Sequence, residues 1–513
     1  MSQPGNLASM ARGGSVNLVG AAVTGISQFA LVLLVATLYS AELSGAFFAA
    51  TSVFLILGAL CELGCDVGLL RWVPRHLALG RTRDAARCVD AALIPVAGVS
   101  VLVAAGLFAA APFLAAVLDG ARTGQTTSML RALAVFLPVM AAANVLLAAT
   151  RAHGKMRPTV LIDRIGRPVA QIGGVALTLV LGDEPALLTL MWALPYLPAL
   201  AAAAWWYRGL RRTSPPQAEP PAAIRTLAAE YWRFTALRAL ARVCQTALQR
   251  ADIVMVAALS SPRDAAVYTV ASRFVVFGQL GTQAVQQVMQ PVVSRQLALD
   301  DRAGAHQTFS VATVWTVLLT WPVYVTTATA ASLYLSLFAE EYHAAGVLPV
   351  LVLSLAMMFA TAAGPVDTML LMSGRSGLSL LNTAAALAID VALGLVLIPR
   401  FGVLGAAVNW AVSIVVRNVL SFVQVRAATE MTPLSRGLAW ATGATVLSFG
   451  GPLLLLRLLG ASTPVLFAGL VACAAIYVIL LWKIRERVSL TALSALLRRR
   501  TRRGAAAPVI EEV

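Results

Sequence analysis

The feature that most constrains this chain is that its apolar residues come in runs too long for a soluble fold. Cut off by Gly, Pro or charge, they lie at roughly 16–38, 46–70, 89–117, 130–150, 159–181, 186–207, 234–259, 266–293, 307–337, 346–372, 377–398, 402–425, 436–459 and 463–482. About 20 apolar residues cross the hydrocarbon of a bilayer, so the pattern predicts an all-α polytopic membrane protein of about fourteen transmembrane helices. The runs at 89–117 and 307–337 exceed that thickness, and tilt or protrusion accounts for the excess. Composition agrees: 59% of the 513 residues are hydrophobic, 12% are charged, and the mean hydropathy is +0.81. Soluble domains carry about 45–50% apolar and about 25% charged residues, and disorder needs far more charge.

A net charge of +16 raises the question of nucleic acid, but the placement of the charges excludes it. Of the 39 Lys and Arg residues, 29 fall on one side of the alternating runs and five on the other. That asymmetry puts both termini in the cytoplasm. The last five, Arg238, Arg242, Arg250, Arg273 and Arg417, stand inside apolar runs. The run from Arg498 to Arg503 reads as an anchor near anionic lipid. The polar start of the chain reads as lacking a cleavable signal, and targeting is expected to fall to the first membrane helix. Cys61, Cys65, Cys88, Cys244 and Cys473 lack partners at metal-binding spacing, and neither metal nor cofactor is expected. No phosphate-binding loop of the ATPase type occurs.

The basic, then Pro-rich, stretch from Arg208 to Pro221 divides six runs from eight. It suggests an N-terminal lobe at 1–207, a linker at 208–233, a second lobe at 234–428, two extra helices at 429–483 and a basic tail at 484–513. The segment from Val35 to Phe48 (VATLYSAELSGAFF) matches Val256 to Thr269 (VAALSSPRDAAVYT) at an offset of 221. An offset of six helices preserves orientation, so the lobes read as parallel repeats, a two-lobe transporter pattern.

Three passages carry a family likeness. They are Asp252 to Phe274 (DIVMVAALSSPRDAAVYTVASRF), Asn382 to Ala407 (ending LIPRFGVLGAA), and Glu62 to Arg75 (ELGCDVGLLRWVPR). They resemble the Wzx-type polysaccharide flippases of the superfamily that also holds MurJ-type lipid II flippases and MATE exporters. The resemblance implies a V-shaped pair of six-helix lobes around a cationic cavity that alternates between inward and outward access. Its cargo would be a polyprenyl-pyrophosphate-linked oligosaccharide, crossing a bacterial plasma membrane to supply cell-surface polysaccharide. A polymerase and glycosyltransferases would be its partners, and its lipid tails would lie in a groove lined by the last two helices.

The residues themselves point to intramembrane charge, which is costly in lipid and therefore faces a bundle interior or a wet cavity. Arg238, Arg242, Gln245, Gln249 and Asp252 recur at 4, 3, 4 and 3 residues and share one helical stripe. They fit a cavity wall whose guanidinium forks grip phosphate, and snorkelling of Arg238 and Arg242 to the interface fits as well. Arg250, off that stripe and two residues from Asp252, fits a structural pair with a neighbouring helix at least as well as a cavity role. Gln279, Gln283, Gln286 and Gln290 share a face. Their amides suit sugar hydroxyls and equally suit bonding between helices. The resemblance adds a cavity role for Arg273. Glu62 and Asp66 are expected to pair with Arg71 or another loop cation. Asp252, Asp367 and Asp390 are candidates for ion coupling, and Asp390 is alternatively the partner of Arg417.

The leading expectation is therefore a non-enzymatic flippase. An exporter of cationic drugs would favour acids over five intramembrane arginines. The resemblance disfavours lipid II, because flippases of the MurJ type bring cationic residues from their first two helices and neither here carries an arginine within its apolar run. A membrane glycosyltransferase would need a larger outside loop than the dozen or so residues near 118–129.

Overall fold

The computed structural model describes residues 4–120, 122–182, 184–213 and 223–489. The Pro-rich part of the linker and the Arg498–Arg503 anchor lie outside the described residues. Within them all regular structure is helical. Among the described residues, nine helical stretches are long and apolar enough to cross a membrane, from Ala41–Ala78 to Thr463–Ile484. Their large side chains stand on the surface: Leu102 is 72% exposed, Val180 83% and Leu447 73%. An apolar surface of this extent needs lipid around it, and the chain is a multi-pass membrane protein.

Among the long helices absent from those nine are Ile224–Leu259 and Phe274–Ala298. Length does not exclude them. Their polarity does, because they carry the arginines and glutamines singled out above, and a helix so interrupted needs a wet face inside the bundle. The first begins at Ile224, ten residues earlier than the apolar run, so Arg225 and Arg233 lie on a helix rather than in a loop. The 307–337 run is not one over-long helix. It breaks at Ala330 (φ −125°, ψ 48°) between Arg302–Thr329 and the short Ala331–Leu335.

Ser376–Thr429 spans 54 residues. As a straight rod it would be about 80 Å long, far beyond a hydrocarbon core of about 30 Å. It is a hairpin, reversing at Gly402 (φ 52°, ψ −129°), where a residue with a Cβ is strained. A Cβ on Gly405 would meet the Leu397 carbonyl. Across the hairpin, Asn382 and Gln424 bond each other reciprocally, both at 2.8 Å.

The repeated segments form the same device. Ser40 caps Ala41–Cys61 by accepting from the Leu43 N–H, and Ser261 caps Pro262–Ser272 by accepting from the Asp264 N–H. A Ser cap of this kind starts a helix sharply, and Pro262 at the first position is pre-set for it. The two turns pack on one another so closely that a Cβ on Gly45 would overlap the Pro262 carbonyl. The last helices pack Leu438, Phe449 and Tyr477 onto Val314, Leu318 and Val325 of Arg302–Thr329. There the Tyr477 hydroxyl donates to the Leu318 carbonyl at 2.8 Å.

Candidate functional site

Between the helices lies a cavity with two arms that share a junction. The first arm, about 460 Å³, runs towards the N-terminal helices and is lined by Glu62, Asn144, Arg151, Trp192 and Arg242, among others. The second, about 480 Å³, enters the C-terminal half past Gln245, Asp252, Gln279, Gln283, Trp410 and Arg417. Arg164, Arg167, Gln249, Arg250 and Arg273 line both arms and mark the junction.

Seven arginines face this space, against Glu62, Asp66, Asp163 and Asp252. Their commitments differ. Arg167 is fixed by Asp163 at 2.7 Å, by Tyr196 at 3.2 Å and by Gln171 at 3.4 Å, with its guanidinium over the Tyr196 ring. Arg151 donates to Thr159, and Arg273 spends its Nε on the Thr269 carbonyl at 3.2 Å. Arg242, Arg250 and Arg417 make no hydrogen bond or close ion pair with any described residue. A guanidinium in that state is a donor fork held open for an anion.

Of the two readings of Arg250, the structure favours the cavity: it lines the junction and makes no ion pair with a described carboxylate. Arg238 lies off the lining, over the Phe234 ring that Arg71 also covers. The helical stripe it begins reaches the cavity only from Arg242 inward. Gln286 likewise lies off the lining, while Gln279 and Gln283 from the same face are on it. Gln245, Gln249, Gln279 and Gln283 make no hydrogen bond to other described residues, so they are not bonding helices together. With Arg71 over Phe234, Glu62 accepts from Asn144 Nδ2 at 2.6 Å rather than pairing with that arginine.

The acids of the C-terminal half also depart from the simplest expectation. Asp390 is fully buried and accepts from Asn409 Nδ2 at 3.0 Å, so Arg417 is not its partner. The same amide donates to Asp252 at 3.5 Å, and Tyr268 donates to Asp252 at 3.1 Å. Asp390 Oδ2 and Asn409 Oδ1 are buried without a hydrogen-bond partner. Asp367 sits apart from the cavity, accepting from Ser379 at 2.5 Å.

The sequence reading missed Arg151, Arg164 and Arg167, which it placed with the loop charges. The segment Thr159–Gly166 is a π-helix, a geometry that often marks functional sites. It is anchored to the first helix by Thr24, whose hydroxyl donates to the Arg164 carbonyl at 3.0 Å. The available signal was two arginines three residues apart inside the 159–181 run.

The helical arrangement around this two-armed cavity is similar in fold to several solved membrane transporters. The lipid II flippase MurJ in an inward closed conformation superposes with a TM-score of 0.71 at 12% identity, over 91% of this chain and 98% of that one. An inward-facing multidrug-resistance MATE transporter of the MOP superfamily gives 0.67 at 16% identity, over 79% and 94%. A MOP-superfamily transporter from Pyrococcus furiosus, described as having a binding pocket of reversed polarity, gives 0.56 at 14% identity, over 82% and 95%. No curated protein matches the sequence. The family model described as polysaccharide biosynthesis protein matches residues 78–345, more than half of the chain. The chain belongs to that family.

Proposed function

We propose that this protein is a flippase for a polyprenyl-pyrophosphate-linked oligosaccharide, moving it by alternating access across a bacterial plasma membrane for cell-surface polysaccharide synthesis. The observation that carries this reading is the set of three uncommitted guanidiniums, Arg242, Arg250 and Arg417, in an interior cavity that belongs to a polysaccharide-family chain. A pyrophosphate diester supplies the missing anion and the bidentate geometry. A cationic drug would meet seven arginines and be repelled, so the exporter reading does not follow from the MATE likeness.

In this reading residues 1–207 and 234–428 are the two rocking lobes, joined by the 208–233 linker and followed by extra helices at 429–483. Both termini, including the 484–513 tail, are cytoplasmic. The junction arginines hold the head group from both lobes, so closing one side and opening the other keeps its charge covered. Asp252 and Asp390, bridged by Asn409, are the coupling group. Two carboxylates in a lipid-surrounded interior need a positive partner, and no cationic side chain among the described residues supplies it. A proton or a sodium ion drawn from a gradient would complete the balance. We read the protein as a carrier and not an enzyme, working beside a polymerase and glycosyltransferases.

The test is complementation. Cells lacking this chain should accumulate lipid-linked oligosaccharide and lose surface polymer, and the wild-type chain should restore it. The double variant Arg242→Ala/Arg250→Ala should reach the membrane at wild-type level and restore less than a tenth of the polymer, since each charge-assisted bond contributes about 1.5–3 kcal/mol. Full restoration by that variant would sink the cationic-cavity mechanism.

A further inference from the structure

We propose that the second arm of the cavity is a carbohydrate subsite built on Trp410, which reads the glycan while the junction arginines hold the pyrophosphate; it rests on the flippase reading above. Trp410, Ile414 and Arg417 recur at four and three residues along the second half of the 376–429 hairpin, and all three line this arm. The neighbouring stripe on the same helix, Asn409 and Ser413, is buried. Trp410 is only half-buried, and its indole N–H makes no hydrogen bond to a described residue.

Facing it are the amides of Gln245, Gln279 and Gln283. Gln245 and Gln283 are exposed and Gln279 is half-buried, so all three can be reached by a ligand, whereas buried amides elsewhere bond within the protein. Asn382 and Gln424 bond each other, and Gln171 donates to the Trp192 carbonyl at 3.1 Å. The three amides on this arm are open on both their donor and acceptor sides. Sugar hydroxyls, which donate and accept, are their chemical complement. The weakly positive C–H face of a pyranose suits the electron-rich face of an indole. At about 480 Å³ the arm also falls in the range of ligand pockets.

The first arm does not offer this chemistry. Its rings Trp192 and Tyr196 are 5% and 3% exposed and are packed edge-on against Phe54 and each other. Of the amides on that arm that do not also line the second, Asn144 is committed to Glu62, and Gln171 to Arg167 and the Trp192 carbonyl. The second arm is also the one that Asp252 lines, so a glycan there lies beside the proposed coupling carboxylates.

The experiment measures binding of two probes to the purified full-length protein. One is undecaprenyl pyrophosphate, and the other is the lipid-linked oligosaccharide extracted from cells lacking this chain. The wild type should bind the glycosylated lipid on the order of tenfold more tightly. Trp410→Ala should erase that advantage and leave affinity for the bare lipid within about twofold, and Gln279→Ala/Gln283→Ala should do the same. Trp410→Phe, which keeps an aromatic face, should retain most of it. Equal affinity of the wild type for both lipids, or a Trp410→Ala variant that weakens both alike, would overturn the subsite alone. Failure of the wild type to bind either lipid would remove the flippase reading and the subsite with it.

Discussion

At the scale of single residues, the informative property is whether a polar group already has a protein partner. Asp163 holds Arg167 in place at 2.7 Å, while Arg242, at the same cavity, makes no hydrogen bond or close ion pair with a described carboxylate. Residue type alone cannot separate the two. Asp390 belongs to this scale as well. Its Oδ2 is buried and unpartnered while its Oδ1 is bridged through Asn409 to Asp252. Asp390→Asn removes one of the two carboxylates at nearly constant volume. In proteoliposomes, the variant should keep its affinity for undecaprenyl pyrophosphate and lose any stimulation of translocation by a sodium or proton gradient. Stimulation equal to the wild type would make Asp390 a packing residue.

At the scale of elements, backbone irregularities decide where the side chains go. The π-helix at Thr159–Gly166 sets the register that brings Arg164 and Arg167 to the junction. The reversal at Gly402 brings Asn409 back alongside Asp390. Gly402 has room for a Cβ, the nearest atom being Asp264 Oδ2 at 3.5 Å, so a substitution there is opposed by its positive φ and not by crowding. Gly402→Ala should therefore lower stability by about 1–3 kcal/mol, read as a lower midpoint of thermal unfolding. A midpoint equal to that of the wild type would mean that the hairpin tolerates a different turn.

At the scale of the whole molecule, a ligand that binds only the folded protein raises its apparent stability with occupancy, by about 2.7 kcal/mol at a hundred times Kd. Undecaprenyl pyrophosphate should raise the unfolding midpoint of the wild type and leave that of Arg242→Ala/Arg250→Ala nearly unmoved. A cationic dye should have no effect on either. Stabilisation by the dye alone would return the exporter reading to first place.

Some of this protein is determined by the sequence alone. The long apolar runs dictate membrane helices, because backbone polarity in lipid is satisfied only within a helix. The arginines and glutamines inside two of those runs require an interior wet face, because lipid does not tolerate them. The match of Val35–Phe48 to Val256–Thr269 was legible as well, because it compares residues along the chain. The partners were not legible. That Asn409 and not Arg417 meets Asp390, that Asn144 and not Arg71 meets Glu62, and that Arg151, Arg164 and Arg167 join the cavity all depend on contacts between segments far apart in sequence. Helical periodicity specifies which face a residue occupies but not what that face meets. Only the packing of the helices decided which charges are committed to structure and which are left open for a ligand.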